Sequence, residues 1–519
     1  MFKKHLLLLQ ALVIIISCGR QPAKTQQEDK LGSVEFSATG KQEAQPYFKK
    51  GLLLLHSFEY EDAAEAFCKA IQADKDFTMA YWGEAMTHNH SLWRYQDYTK
   101  ATTVLHELDP LPEGRVAKAK TELEKDFIRG INILYGTGTK AVRDSSYAEF
   151  MGKLHEKYPG NDEVTAFYSI ALIGSVQVGR DTKVYEQAGG MAREVLKHNP
   201  HHPGALHYLI HAYDDPQHAA AALYAADAYA VEAPAAGHAL HMPTHIYLSL
   251  GMWDKVISSN IASFNTSLER KKKKNLTNAA LGYHSFFWLM YGYLQTGEKD
   301  KAKTIADSMV RFCREINNTN VREYMMCQKA TYLAETKEYG IPLNSVEVKM
   351  NDLNIVSRAM NDYTNGMNCF YKNDMAGMDS IILKLSGEIL VDEDRVTNGG
   401  IKLCGSISGA MPNQLDLQQA GIMLLELKAM KAKLGSDHSL TGKLLQQASE
   451  KETVISYSYG PPPIVKPSFE LYGEWLLEMK KPEEALQQFE LSLRAAPGRL
   501  LSLAGKKNAE KMMGTASLR

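Results

Sequence analysis

Histidine is concentrated in one part of this sequence. Nine of the seventeen histidines lie between His198 and His245. His207 and His211 are four residues apart, and so are His241 and His245, so on a helix each pair lies on one face. The same positions recur after 34 residues, which indicates a structural repeat that presents the pair twice. Neutral imidazoles in such an arrangement can ligate zinc, copper, iron or nickel.

Further polar and aromatic residues are candidates for the same site. His238 extends the second pair toward the N-terminus, and His284 occupies the equivalent position in the following unit. Asp214 follows the first pair, where a carboxylate could ligate a metal or orient an imidazole ring. Trp82 and His90 belong to an earlier unit and are predicted to lie along the corresponding face. These five residues are therefore predicted to line a ligand-binding groove.

The histidine pairs are compatible with three kinds of chemistry. The pairs His207/His211 and His241/His245 could together hold one divalent transition metal, with zinc, copper and iron as candidates. Partly protonated rings could instead bind an acidic ligand or act as general acid and base. A third possibility is a polar groove of hydrogen-bonded histidines without a metal. The pattern assigns no catalytic residue, and it leaves open whether the protein is an enzyme.

Composition and missing motifs exclude several classes of function. The chain has 519 residues and a net charge of −1, which argues against a nucleic-acid partner because such proteins need a basic surface. The sequence contains no HExxH, Walker A, GxSxG or Rossmann glycine motif. The usual hydrolases and nucleotide-binding enzymes are therefore not indicated.

The elements that must position the histidines follow from a repeat of small and large apolar residues at fixed offsets. It occurs near the N-terminus at Tyr47, Gly51, Leu54, Ala63, Phe67 and Ala70, and near the C-terminus at Phe469, Gly473, Leu476, Ala485, Phe489 and Pro497. This pattern resembles the tetratricopeptide-repeat family, whose unit is a helix–turn–helix of 34 residues. The resemblance implies an all-α, tetratricopeptide-repeat-like solenoid of helical hairpins, wound as a right-handed superhelix. It also implies a concave surface that binds a protein or peptide partner.

The central part of the chain fits the same register. Leu206 and Tyr213 take packing positions in one unit, as Leu240 and Tyr247 do in the next. The histidines lie roughly 100° around the helix from this stripe, on the face that the resemblance makes concave. Pro243 is predicted to kink the second histidine helix because it cannot donate the backbone hydrogen bond. The stretches HYLIHAYDDP and HALHMPTHIY resemble a histidine-rich group of bacterial tetratricopeptide proteins, which implies the fold but no activity.

The N-terminus has the pattern of a targeting signal. Lys3 and Lys4 precede an apolar stretch that ends in Ile-Ile-Ser-Cys at Cys18. This end resembles the bacterial lipobox, which implies cleavage before Cys18 and attachment of lipid there. The resemblance implies a protein anchored in the bacterial cell envelope, at the periplasmic side or the outer membrane.

The chain divides into six predicted segments. They are a signal peptide (1–17), a flexible tether (18–40), N-terminal repeats (41–160), central histidine-rich repeats (161–340), degenerate helical hairpins with loops (341–465) and a C-terminal repeat (466–519). His198, His201, His202 and His218 flank prolines and are predicted to lie in surface loops. Two functions remain open: a binding or scaffolding protein with a histidine-lined groove, and a metal-dependent enzyme or metal carrier.

Overall fold

The computed structural model describes residues 30–398, 412–456 and 458–516. Within these ranges the chain consists of α-helices, a few 3-10 turns and one short β-hairpin. The hairpin joins β1 (Asn89–His90) to β2 (Tyr95–Gln96) as antiparallel strands. None of the helices in these ranges is both long and apolar enough to cross a membrane.

Successive helices pack against one another along the chain. The first twelve are α1 (Gln45–His56), α2 (Tyr60–Ala73), α3 (Thr78–Met86), α4 (Tyr98–Leu108), α5 (Pro112–Lys118), α6 (Glu122–Leu134), α7 (Lys140–Lys157), α8 (Asp162–Ser175), α9 (Thr182–His198), α10 (Pro203–Ala212), α11 (Leu223–Glu232) and α12 (Gly237–His241). The others are α13 (Pro243–Ser249), α14 (Trp253–Lys274), α15 (Tyr283–Gln295), α16 (Lys299–Glu315), α17 (Thr319–Thr336), α18 (Ile355–Tyr371), α19 (Met375–Asn398), α20 (Gln414–Leu434), α21 (His438–Val454), α22 (Ser468–Glu478), α23 (Pro482–Ala495) and α24 (Leu500–Ala516). The order gives an array of helical hairpins.

Glycines at the repeat positions let an aromatic ring fill each hairpin. Phe67 of α2 is fully buried between Gly51 of α1 and Gly83 of α3. A Cβ atom at Gly51 would lie 2.8 Å from the Phe67 ring, and one at Gly83 would lie 2.3 Å from it. The C-terminal repeat has the same arrangement with Gly473, Phe489 and Gly505. The repeat register predicted from the sequence is therefore present at both ends, although Tyr47 is exposed rather than packed.

The chain preceding α1 packs against the helices over residues 30–40. Leu31 and Val34 are buried, and the Phe36 ring stacks on Trp82 at a centroid distance of 6.4 Å. The Ser33 amide donates to the His201 carbonyl at 3.0 Å. The predicted flexible tether is therefore wrong for residues 30–40, because apolar side chains in this polar segment find a place between the helices. The signal peptide and Cys18 lie outside the described residues.

Both ends of the array fold back onto its middle. Helix α1 contacts α10, and the His56 imidazole of α1 pairs with the Tyr208 hydroxyl at 2.9 Å. At the other end, Arg499 is fully buried and forms ion pairs with Glu470 at 2.8 Å and with Glu335 of α17 at 2.6 Å. The first helices of the central repeats, which carry the histidines, are therefore enclosed by distant parts of the chain.

The histidine helix of the second central unit is interrupted where the sequence predicts it. Helix α12 ends at His241, and α13 begins at Pro243. The His245 amide donates to the carbonyl of Met242 at 3.1 Å, three residues back. The break therefore falls at the residue where the sequence predicts a kink, between two histidine side chains.

Candidate functional site

Six histidines form two groups, which we call the first and second triads. In the first triad, His207 Nε2 lies 3.1 Å from His211 Nε2 and 3.2 Å from His238 Nε2. His207 and His211 stand one turn apart on α10, and His238 comes from α12. One nitrogen from each of the three rings lies within 4.8 Å of the others. The first triad therefore presents three nitrogens to one point.

The second triad repeats this arrangement one unit later. It consists of His241 at the end of α12, His245 on α13 and His284 on α15. His241 Nε2 and His245 Nε2 are 3.2 Å apart, and a ring nitrogen of His284 lies within 4.8 Å of both. Each triad thus combines two histidines four residues apart with one histidine from the following unit.

These separations suit ligands of a common ion. With metal–nitrogen bonds of about 2.0–2.1 Å, two imidazole nitrogens on one ion lie about 2.8–3.4 Å apart for bond angles between about 90° and 110°. The observed nitrogen separations of 3.1 and 3.2 Å fall within this interval. These three pairs of nitrogens are therefore spaced as ligands of a common ion would be.

The far ring nitrogens are held by groups outside the triads. His207 Nδ1 donates to the carbonyl oxygen of His56 at 2.8 Å. His241 Nδ1 donates to Asn260 Oδ1 at 2.7 Å, and the Asn260 amide is itself oriented by the Val256 carbonyl. Partners of this kind fix the tautomer and orientation of metal-binding imidazoles.

Two further rings have the same support, from Asp214 and Tyr324. His245 Nδ1 donates to the buried Asp214 carboxylate, and His284 Nδ1 pairs with the Tyr324 hydroxyl at 3.1 Å. Asp214 also lies within 4.8 Å of His211, and its second oxygen, Oδ1, is buried without a hydrogen-bond partner among the described residues. Asp214 therefore lies between the two triads.

Protonation of the second triad follows from these contacts. Carboxylate and amide oxygens only accept, so the Nδ1 atoms of His241 and His245 carry the hydrogens. When both rings are neutral, their Nε2 atoms present lone pairs to each other at 3.2 Å, and neither ring can donate to the other. Such an arrangement repels unless a cation lies between the nitrogens.

Burial disfavours a proton as the cation between the two Nε2 atoms. The pKa of His241 is lowered well below its usual range, first by burial and then by the neighbouring His284, His245 and His238. Burial likewise lowers the pKa of His207 to about 3 and that of His284 to about 3. The pKa of His211 is also lowered, by burial and by the adjacent imidazoles. These rings are neutral near pH 7, which is the form that ligates metals.

The grouping differs from the one expected from sequence. His207, His211, His241 and His245 were predicted as one four-nitrogen set, and they lie instead in two triads. The third member comes from the adjacent unit, since neighbouring helices are close enough for a ring to reach across. His238 and His284, which were predicted to line the groove, therefore each lie beside a histidine pair.

Trp82 does not lie in the groove that the sequence predicts for it. Its ring is fully buried and packs edge-on against Phe127 and Phe167, with centroid distances of 5.2 and 5.1 Å. Phe36 covers its remaining face. The prediction was wrong because the segment that precedes α1 fills the space expected to be open.

His90 lies near the first triad. Its ring stacks on Tyr60 with centroids 3.9 Å apart, and burial lowers its pKa to about 4. Trp93 stands between His90 and His238, at centroid distances of 6.2 and 6.0 Å. His90 therefore belongs to the wall of the site, not to a triad.

A cavity of about 2240 Å³ leads to both triads. His238, His241 and His284 line it, together with His90. Its walls carry the aromatic side chains Phe58, Tyr60, Trp93 and Tyr95. A ligand in this cavity would reach at least one histidine of each triad.

A third buried group contains His56, Glu163 and His202. The Glu163 carboxylate lies 2.9 Å from His56 Nε2 and 3.3 Å from His202 Nε2, and all three side chains are fully buried. The prediction of a surface loop was wrong for His202, since its Nδ1 accepts the Ala205 amide and caps α10. His56 sits where α1 ends, and nothing in its local sequence indicates that it reaches the histidine helices.

Comparisons with known proteins give structural likeness alone. No protein-family model and no curated protein sequence matches this chain. Among solved structures, the chain is similar to the APC/C hetero-tetramer Cut9–Hcn1, at 12% identity and a TM-score of 0.37, over 91% of this chain and 77% of that one. It is also similar to yeast Tom70, at 11% identity and a TM-score of 0.30, over 92% and 90%. Ypp1 is similar at 10% identity and a TM-score of 0.33, over 91% and 87%.

The fold of this chain is assigned from its own helical hairpins. The glycine–phenylalanine packing of its first and last repeats and the 34-residue register of its histidine helices are its most regular features. Almost no strand interrupts the helices of the described ranges. The chain is an all-α protein with a tetratricopeptide-repeat-like fold of stacked helical hairpins.

Proposed function

We propose that this protein is a binding protein whose cavity holds its ligand at a transition-metal centre. The observation that carries the proposal is the convergence of the Nε2 atoms of His241 and His245, which lie 3.2 Å apart while both Nδ1 atoms donate to groups outside the triad. A metal ion between them removes the repulsion of the lone pairs. The first triad offers a second ion the same number of nitrogens.

The ligand types narrow the choice of metal. Imidazole nitrogens suit zinc, copper, iron and nickel, whereas magnesium and calcium prefer oxygen ligands. Three protein ligands leave at least one coordination position for water or a further ligand, as in open zinc sites. The site can therefore bind a molecule through the metal, and whether it also transforms that molecule is a separate question.

The size of the cavity supports a ligand larger than a metabolite. Small-molecule sites enclose about 300–1,000 Å³, and this cavity measures about 2240 Å³. Aromatic walls at Phe58, Tyr60 and Trp93 provide surface for apolar contact with a peptide or a segment of a partner protein. We therefore favour a protein or peptide ligand as the occupant.

We also propose that the protein is anchored by lipid at Cys18 in a bacterial envelope. The apolar stretch and the Ile-Ile-Ser-Cys sequence support this proposal. The described structure starts at residue 30, which is 12 residues after Cys18. Replacing Cys18 by alanine should move the protein from the membrane fraction to the soluble fraction, and unchanged membrane association would contradict lipid attachment there.

Elemental analysis tests the metal centre. The full chain is purified without a histidine tag, supplied with zinc, copper and iron in turn, and dialysed before metal and protein are measured. We expect about two equivalents of one metal. His238→Ala and His284→Ala each remove one ligand of one triad and should each lower the content by about one equivalent, because both side chains are only half-buried and their loss spares the core.

His218→Ala is the matched control. His218 is half-exposed, bonded to Asp215 and outside both triads, so its loss should leave the metal content unchanged. A folded wild-type protein that retains no metal after exposure to all three would contradict the proposal. So would equal metal content in the wild type and both triad variants.

A further inference from the structure

Two metal ions bound to the triads would give the site a large positive charge. The six triad imidazoles are neutral ligands, so two divalent ions would add about four positive charges to the site. Among the described residues, Asp214 is the carboxylate grouped with triad histidines. Glu59 is close as well, and its Oε1 accepts the His238 amide at 2.9 Å. Two carboxylates cannot balance four charges, and buried charge without a partner is costly.

The cavity gives a ligand access to this charge. His238 of the first triad and His241 and His284 of the second line the same space. A molecule in the cavity can therefore contact both metal positions at once. Glu59 also lines the cavity, whereas Asp214 does not.

Lysines flank the same cavity without being neutralised. Lys49 and Lys50 on α1 and Lys272 and Lys273 on α14 line it and are exposed. None of these four forms an ion pair with another described residue. The other α14 cations that line the cavity differ, since Arg270 bonds Asp62 and Glu61, and Lys274 bonds Asp62 and Glu65. The cavity therefore carries a surplus of positive charge before any metal binds.

We propose that the metal-loaded cavity binds its ligand through an oxyanion, a carboxylate or a phosphate group, that takes the open coordination positions of the triads. This inference rests on the proposed metal centre and adds the chemical class of the ligand. The lysines attract the anion to the cavity, and the metals and neutral histidines provide its binding point. The aromatic walls contact the remainder of the ligand.

Titration of the cobalt-loaded full chain tests this inference. Inorganic phosphate and benzoate are the two probes, and each is followed by the visible cobalt spectrum and by calorimetry. We expect at least one probe to change the spectrum and to bind. The comparison between the probes distinguishes phosphate from carboxylate as the preferred group.

A variant with two cavity lysines replaced by glutamate tests whether these lysines attract the anion. Lys272→Glu combined with Lys273→Glu should keep the cobalt content and weaken anion binding about three- to tenfold at low salt, with a smaller difference at high salt. Lys443→Glu combined with Lys451→Glu makes the same charge change on α21, away from the cavity, and should have no effect.

Three results would overturn the inference while leaving the metal centre in place. They are a cobalt spectrum that neither probe changes, anion binding that is equally strong without cobalt, and equal weakening by both lysine pairs. Failure of the metal centre itself has a different signature, since the elemental analysis then finds no cobalt in the folded protein.

Discussion

Replacing Asn260 by alanine removes the group that orients His241 without touching a triad. Both side chains are buried, and the hydrogen bond from His241 Nδ1 to Asn260 Oδ1 is 2.7 Å long. Loss of such a partner lowers metal affinity about 10- to 100-fold, which corresponds to about 1.4–2.7 kcal/mol. The affinity of the second triad should fall by this factor, and that of the first should not change.

Competition against a coloured zinc chelator measures the two affinities separately. Asn260→Asp keeps an acceptor at the same place and should restore most of the affinity, whereas Asn260→Ala should not. The alanine variant also loses the bond to the Val256 carbonyl, so its unfolding free energy is measured in parallel and should fall by about 1 kcal/mol. Unchanged zinc affinity in the alanine variant would refute the argument that Asn260 orients a metal ligand.

Three predictions concern the scaffold. Gly83→Ala places a Cβ atom 2.3 Å from Phe67 and should lower the unfolding free energy by about 1–3 kcal/mol in a urea titration. The control Gly190→Ala has open space around the new Cβ atom and should not lower the unfolding free energy. Arg499→Met leaves Glu335 buried without its cation and leaves Glu470 with Lys466 alone, so it should cost about 3–5 kcal/mol by the same assay. A loss under about 1 kcal/mol would contradict the structural role of this cluster. Burial raises the pKa of Glu323 to about 8, so the folded state keeps the proton of this carboxyl at pH values where the unfolded state has lost it. The free energy of unfolding therefore falls as pH rises from about 4.5 to 8, by at most about 1.4 kcal/mol per pH unit. Glu323→Gln should therefore raise the melting temperature at pH 8 and leave it unchanged at pH 4, and an equal change at both would contradict this.

The sequence predicts the scaffold well where the signal is local. The spacing of Gly51 and Phe67 reports a contact within one hairpin, and the 34-residue register of the histidines reports two neighbouring helices. Pro243 marks a local break in hydrogen bonding, which the structure has at that residue. These features depend on residues within one repeat or in adjacent repeats, so periodicity is enough to find them.

The enclosure of the site could not be predicted in this way. Phe58 and Tyr459 pack near His211 from opposite ends of the chain, with centroid distances of 6.1 and 6.4 Å. Trp82 was misplaced for the same reason, because a ring some 46 residues earlier in the chain, Phe36, covers it. Contacts between distant residues leave no period in a single sequence. The expected open groove is therefore a cavity with a largely buried floor.

The partners of the far ring nitrogens were missed as well. Asn260 and Tyr324 lie 19 and 40 residues from the histidines that they contact. Neither stands in a motif, and each is one of many polar residues on a helix. Asp214 was identified because it follows a histidine pair directly, although its contact is with His245 of the next unit. Proximity in sequence therefore identified the residue but not its contact with His245.

X-ray absorption at the metal edge tests the central claim most directly. The full chain is loaded with two equivalents of zinc and compared with His238→Ala. We predict about three imidazole nitrogens per zinc at about 2.0–2.1 Å in the wild type. In the variant the nitrogen count averaged over all the zinc added should be lower, because water oxygens bind the ion that its first triad no longer holds. A spectrum dominated by oxygen or sulfur ligands, or one identical in the two proteins, would contradict the assignment of the triads as metal sites.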